Sequence, residues 1–60
     1  MKRKHILKKL AAAGFVFVDG GNHTKIYDKT GAYISAIGRH AEIDDWTVRK
    51  IEKQCGVKML

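Results

Sequence analysis

Six glycines divide this 60-residue chain into segments that are each long enough for only one helix or strand. They are Gly14, Gly20, Gly21, Gly31, Gly38 and Gly56. Glycine readily adopts the left-handed backbone of turns and helix ends, so we expect the chain to change direction at these points. A chain of this length buries only about 60% of the surface that its unfolded form exposes. We therefore expect one small domain over residues 1–60, with any functional site on its surface.

The first segment has the pattern of an amphipathic helix. Over Lys4–Ala13, apolar residues recur at spacings of three and four, whereas Lys8 and Lys9 lie on the other side. Gly14 stands where a left-handed residue commonly ends a helix. The sequence predicts a short helix with one apolar and one basic face.

The middle of the chain has the pattern of three strands. Phe15–Val18 and His23–Asp28 are rich in β-forming residues and flank the adjacent glycines, so they predict a hairpin. Ala32–Ile37 predicts a third strand beyond the next turn, and residues 38–42 predict a loop.

The last segment predicts a second helix. Asp44, Asp45 or Thr47 can cap its N-terminus, and Gly56 ends it. Two one-sided helices and a three-stranded antiparallel meander must share a single apolar layer. We therefore predict an α+β fold of order α-β-β-β-α, with both helices on one face of the sheet.

The second strand divides its side chains between the two faces of that sheet. Successive residues of a strand point to opposite sides. If the helices cover Ile26, then His23, Lys25 and Tyr27 lie together on the open face.

The charge distribution favours an anionic partner. Twelve Lys and Arg residues against six Asp and Glu residues give a net charge of +6. Five of the cations lie in the first ten residues: Lys2, Arg3, Lys4, Lys8 and Lys9. We expect these five residues to contact the phosphates of a nucleic acid, and the alternative is that they only solvate the surface.

Several classes of protein are disfavoured. The single Cys55 cannot form an internal disulfide, which favours a reducing compartment and hence the cytoplasm. No run of about 18 apolar residues predicts a membrane span. The histidines and Cys55 lack the close spacing of a local chelate, so we expect no metal site and no cofactor. We expect Tyr33 and Trp46 to pack in the core rather than to stack on bases. Tyr27, two residues beyond Lys25 on the same side of its strand, is the aromatic residue that we expect to contact RNA.

Several motifs resemble one family. They are Ile6-Leu7-Lys8-Lys9-Leu10 with Gly14-Phe15, the Gly21-Asn22-His23 turn before Ile26-Tyr27, the His40 loop, and Thr47-Val48-Arg49-Lys50-Ile51 with Gly56. Together they resemble the HicA toxins of bacterial toxin-antitoxin pairs over nearly the whole chain. The family often has serine where this chain has Asn22, and proline before the later histidine where this chain has Gly38-Arg39.

The resemblance implies both a fold and an activity. It implies a fold like that of a double-stranded RNA-binding domain and a ribonuclease that acts on messenger RNA. It also implies a HicB-type antitoxin as partner, with a monomer when free and a hetero-oligomer in the complex. The family's catalytic histidine, in its glycine-x-histidine turn, falls on His23.

The chemistry of histidine agrees with that assignment. Imidazole ordinarily titrates near neutral pH, so it can accept and donate a proton there. In RNA the 2′-hydroxyl is already in place as the nucleophile, and Lys25 on the same side of the strand can stabilise phosphate charge. His40 is a candidate second acid or base, and the alternative for it is a loop histidine bonded to backbone. The alternative function for the chain is a non-catalytic module that binds double-stranded RNA.

Overall fold

The computed structural model describes all 60 residues and has the predicted order of elements. Helix α1 spans Arg3–Ala12 and helix α2 spans Asp45–Cys55, and between them lie strands β1 (Val16–Gly20), β2 (His23–Tyr27) and β3 (Tyr33–Gly38). The three strands form one antiparallel sheet in the order β1-β2-β3. The predicted α-β-β-β-α fold is therefore confirmed, with element ends displaced by one or two residues.

The hairpin between β1 and β2 is tighter than predicted. Strand β1 continues to Gly20 rather than ending at Val18, because the turn uses only Gly21 and Asn22. Gly21 has φ of 68°, and no residue other than glycine has a positive φ. A positive φ at the first of two turn residues is the pattern of a type II′ turn, which suits the twist of a hairpin. The turn therefore places His23 at the first position of β2.

The two faces of the sheet are as predicted for β2. Thr24 and Ile26 are buried, whereas His23 and Lys25 are exposed and Tyr27 is half-buried. The core joins one face of the sheet to both helices, to the loop before α2 and to the segment after α2. Its members are Ile6, Leu10, Ile26, Ile37, Ile43, Val48, Ile51 and Met59. Both helices thus cover the same face and leave the other open.

Helix α2 is fixed at both ends by its sequence. The Asp44 carboxylate accepts hydrogen bonds from the backbone N–H of Thr47 at 3.1 Å and from its hydroxyl at 2.7 Å. These bonds, chiefly that of the hydroxyl, lower the pKa of Asp44. Of the three predicted caps, Asp44 is the one used. Gly56 ends the helix with φ of 71°, in the left-handed conformation.

The start of the chain holds the loop between β3 and α2. The backbone groups of Met1 and Ile43 are hydrogen-bonded in both directions, at 2.9 and 2.8 Å. Next to them, the Arg3 N–H donates to the Ala41 carbonyl at 3.0 Å. These bonds hold residues 41–43 beside the beginning of α1. Neither helix has the length and apolar character needed to cross a lipid bilayer.

Candidate functional site

His23 lies at the end of the sheet with glycine on both sides. Its cross-strand partner in β1 is Gly20 and its partner in β3 is Gly38. No side chain therefore stands beside the imidazole in the neighbouring strands. An extended polymer backbone can approach the exposed ring of His23 closely at this point.

His40 lies in the same surface depression as His23. The depression has a volume of about 390 Å³ and is lined by Asn22, His23, Gly38, Arg39 and His40. The His40 ring rests against Gly38: a Cβ at that position would lie 3.3 Å from its Cδ2 atom. The structure thus brings together two histidines that are 17 residues apart in the sequence.

Both imidazoles are free of hydrogen bonds within the protein. The polar contacts around them are made by other side chains: Arg3 donates to the Gly38 carbonyl at 3.1 Å, and Arg39 donates to the Gly21 carbonyl at 3.2 Å. His23 and His40 are both exposed. Their ring nitrogens are therefore available to a bound molecule.

Arg39 is a residue of the site that the sequence analysis missed. Through its bond to Gly21 it connects the hairpin turn to the His40 loop. It lines the depression that holds the histidines and also a second one of about 410 Å³. Its place next to His40 in the sequence was the only available signal, because its contact with the turn depends on the packing of the loop.

The predicted basic residues divide into two groups on the surface. Lys2, Arg3 and Lys4 line the second depression together with Arg39, so they adjoin the histidines. Lys8 and Lys9 lie further along α1, around a depression of about 370 Å³ that His5 and Ala12 complete. The cations therefore extend from the histidines along the exposed side of α1.

Arg3 differs from the four lysines because its guanidinium group has partners inside the protein. It donates to the Gly38 carbonyl and to the Thr24 hydroxyl, and that hydroxyl donates to the Asp19 carboxylate at 2.8 Å. Thr24 is only 2% exposed. Arg3 thus links α1 to both β2 and β3 directly beneath the depression.

Lys25 and Tyr27 lie at different distances from His23. Lys25 points toward the turn, since its Cε atom would be 3.5 Å from a Cβ placed on Gly20, the partner of His23. Tyr27 lies at the other end of β2, where its ring meets that of Tyr33 edge-on at 5.8 Å between centroids. The structure brings Lys25 toward the histidines but leaves Tyr27 away from them.

Two aromatic residues do not pack as the sequence predicted. Trp46 is 73% exposed and Tyr33 is 58% exposed, because aliphatic side chains fill the core. The ammonium group of Lys50 lies over the Trp46 ring, 5.7 Å from the ring centre.

Cys55 is half-buried, and burial raises the pKa of its thiol.

Other features of the surface lack comparable chemistry. No group of three or more His, Cys, Asp or Glu side chains is arranged to hold a metal ion. The largest depression, of about 630 Å³, lies at the C-terminal end of α2, and no histidine lines it. The histidine depression therefore remains the candidate site.

The chain matches the profile of a known protein family. The profile of the family described as "HicA toxin of bacterial toxin-antitoxin" matches residues 3–57 of the chain. Comparisons with curated proteins and with solved structures gave no significant match. The matched range includes all five helices and strands, both histidines of the depression and all the predicted basic residues after Lys2.

Proposed function

The chain belongs to the HicA family of toxins from bacterial toxin-antitoxin pairs, and on this premise we propose that it is an endoribonuclease that cleaves mRNA in the cytoplasm. Membership in the family implies an antitoxin partner. We propose that this partner is a HicB-like protein, that His23 is the catalytic residue, and that cleavage needs no metal ion.

The proposal rests chiefly on the environment of the His23 side chain. The ring is exposed, has glycines as both cross-strand neighbours, and shares its depression with Arg39 and His40. Lys2 and Lys4 line the adjoining depression. An imidazole with cationic side chains close by is an arrangement suited to cleavage of a phosphodiester chain.

The proposed reaction uses the nucleophile that RNA itself supplies. The 2′-hydroxyl attacks the adjacent phosphorus, the bond from phosphorus to the 5′-oxygen breaks, and a cyclic phosphate forms. His23 transfers a proton in this step. Lys25 and Arg39 are the cations best placed to stabilise the charge that develops on the phosphate oxygens, since one points toward the turn and the other contacts it.

The proposed antitoxin acts by covering this surface. With a net charge of +6, the chain attracts an acidic contact surface over a long range. We propose that the partner either lays a segment over His23 or competes with RNA for the basic side of α1. Co-expression of the cognate HicB-like protein should then restore growth, and an antitoxin variant that has lost its acidic contact residues should not.

Replacement of His23 tests the catalytic assignment. His23→Ala should lower RNA cleavage by about 10²–10⁴-fold. His23→Gln should be nearly as inactive, because the glutamine amide cannot accept and donate a proton as imidazole does. Binding of RNA, measured by fluorescence anisotropy, should change little. Gln54→Ala, at an exposed position of α2, is the matched control and should retain both properties.

Three further results separate this proposal from its rivals. Cleavage by the unaltered protein should continue in EDTA, its upstream products should end in a cyclic or 3′ phosphate, and its expression should arrest growth where His23→Ala does not. Tight binding of double-stranded RNA with no cleavage would instead support the non-catalytic binding module. Loss of cleavage on chelation would contradict the metal-independent mechanism.

A further inference from the structure

The proposed cleavage calls for a second proton-transfer group besides His23. Cleavage through a cyclic phosphate removes one proton from the 2′-oxygen and adds one to the departing 5′-oxygen. A single imidazole cannot stand on both sides of the phosphorus in the same step. The depression that contains His23 is lined by one other imidazole, that of His40.

The structure also removes the ordinary explanation for His40. A loop histidine commonly serves the fold by bonding to nearby backbone. The imidazole of His40 makes no hydrogen bond. The two carbonyls at the sides of the depression, those of Gly21 and Gly38, accept hydrogen bonds from Arg39 and Arg3 instead. Arginine side chains and backbone bonds thus hold the loop, and the ring nitrogens of His40 have no partner within the protein.

Gly38 gives a second, independent indication. Its φ is not positive, so its backbone does not require glycine. A side chain there would press against the His40 ring, at 3.3 Å from Cδ2 and 4.0 Å from Nε2. Gly38 is also the direct cross-strand partner of His23. The absence of a side chain at this one position therefore lets both imidazoles face the same space.

From these observations we propose that His23 and His40 form an acid-base pair that shares the two proton transfers of RNA cleavage. This inference rests on the function proposed above. One imidazole, neutral at the start, accepts the 2′ proton as the bond from the 2′-oxygen to phosphorus forms. The other, protonated at the start, donates to the 5′-oxygen as its bond to phosphorus breaks. The pair ends with its protonation states exchanged and no net charge transferred.

The charged groups around the pair come from several elements. Arg39 lies in the same loop as His40, Arg3 reaches Gly38 from α1, and Lys25 points toward the turn from β2. The nearby Asp19 carboxylate accepts the Thr24 hydroxyl on the covered side of the sheet. Because one histidine must be neutral and the other protonated, kcat/KM should depend on pH with a bell shape, and each single His→Ala variant should lose one limb of the bell.

The first experiment compares His40→Ala and His40→Gln with the unaltered protein. Both should lower cleavage by about 10²–10⁴-fold while RNA binding and the thermal unfolding midpoint stay close to those of Gln54→Ala. Full cleavage by His40→Ala would overturn the inference. A loss of cleavage matched by an equal loss of RNA affinity would also overturn it, because His40 would then be a binding residue.

The second experiment identifies the acid. An RNA substrate whose 5′-bridging oxygen at the cleavage position is replaced by sulfur has a leaving group that needs no proton. Of His23→Ala and His40→Ala, one should regain cleavage on this substrate and the other should stay inactive. Rescue of both variants or of neither would contradict a shared acid-base role.

The two proposals fail in different ways. If His23→Ala is inactive and His40→Ala is fully active, the ribonuclease assignment stands and the pair is wrong. If both variants retain cleavage, the catalytic assignment of His23 fails together with the pair. Both conclusions require that the Gln54→Ala control keeps full activity.

Discussion

At the scale of single residues, the glycines around His23 determine how open its surroundings are. Its two cross-strand partners, Gly20 and Gly38, carry no side chains, and the ring of His40 rests on Gly38. Gly21, in contrast, is required by its backbone, with φ of 68°. The glycines of this region thus serve two purposes, conformation at the turn and space at the site.

Gly38→Ala tests that distinction. The new Cβ would stand 3.3 Å from Cδ2 of His40, so the exposed ring must move by a few tenths of an ångström. We expect cleavage to fall on the order of tenfold, less than the roughly 10²-fold that a 1 Å misplacement can cause. The free energy of unfolding should change by less than about 1 kcal/mol.

The double variant supplies the control for this prediction. If the alanine acts by displacing the ring, Gly38→Ala combined with His40→Ala should cleave no more slowly than His40→Ala alone. Additive losses would show that the alanine acts on something other than His40.

At the scale of elements, the sequence predicted the helices and strands better than it predicted their contacts. Alternation and glycine position are local signals, and they located all five elements and the exposed side of β2. The bonds that Arg3 and Arg39 make to Gly38 and Gly21 depend instead on backbone pairing between the start of the chain and the loop that follows β3. No local pattern contains that pairing, so the role of Arg39 and the placing of His40 beside His23 could not be predicted from the sequence.

Thr24→Val tests the link between α1 and the sheet. The hydroxyl accepts from Arg3 and donates to Asp19 at 2.8 Å, and the side chain is almost fully buried. Valine keeps the shape but leaves both partners without their bond, so we expect a loss of about 1–3 kcal/mol in the free energy of unfolding. Urea denaturation measures this loss, and a variant as stable as the unaltered protein would contradict the structural role of the network.

At the scale of the whole molecule, one group of cations lies at the histidine end of the sheet and along the adjoining side of α1. A second group lies on and after α2, at Arg49, Lys50, Lys53 and Lys58. Lys2, Lys4 and Arg39 lie next to the histidines, and Lys8 and Lys9 continue the row. Lys29 lies in the turn at the opposite end of β2. Because Lys29 lies apart from this row, the effect of the row can be separated from that of net charge by experiment.

Salt dependence of RNA binding should identify the members of the row. For single-stranded RNA, each phosphate contact contributes a slope of roughly −0.7 in log K against log salt. Replacing Lys2, Lys4, Lys8 or Lys9 by Gln, one at a time, should reduce the magnitude of the slope by about that amount. Lys29→Gln removes the same charge elsewhere and should leave the slope unchanged. An equal effect of all five would indicate attraction by net charge alone.

Acid should destabilise the fold through three carboxylates. Hydrogen bonds lower the pKa of Asp28, chiefly from the Thr30 hydroxyl, that of Asp44, chiefly from the Thr47 hydroxyl, and that of Glu52, chiefly from the Leu60 N–H. A carboxyl group whose pKa is lower in the folded state stabilises that state at pH values above its ordinary pKa, here 3.8 for Asp and 4.5 for Glu.

That stabilisation is lost as the pH falls through the lowered values. The free energy of unfolding, as far as these three groups determine it, should therefore be constant above about pH 5 and decrease below it. Denaturation curves collected between about pH 2 and pH 7 would measure the change. Glu52→Gln should flatten part of the decrease, and an unchanged pH profile in that variant would contradict the role of its two bonds to Met59 and Leu60.

The meander order of the sheet has a consequence for kinetics. Each strand pairs with its neighbour in the sequence, through turns of only a few residues, and such local pairing favours rapid folding. We expect refolding from urea within milliseconds to about a second, which stopped-flow fluorescence of Trp46 would measure. In a growing cell, a newly synthesised chain would then be folded almost as soon as its synthesis ends, so the antitoxin that this family implies would have to be present already.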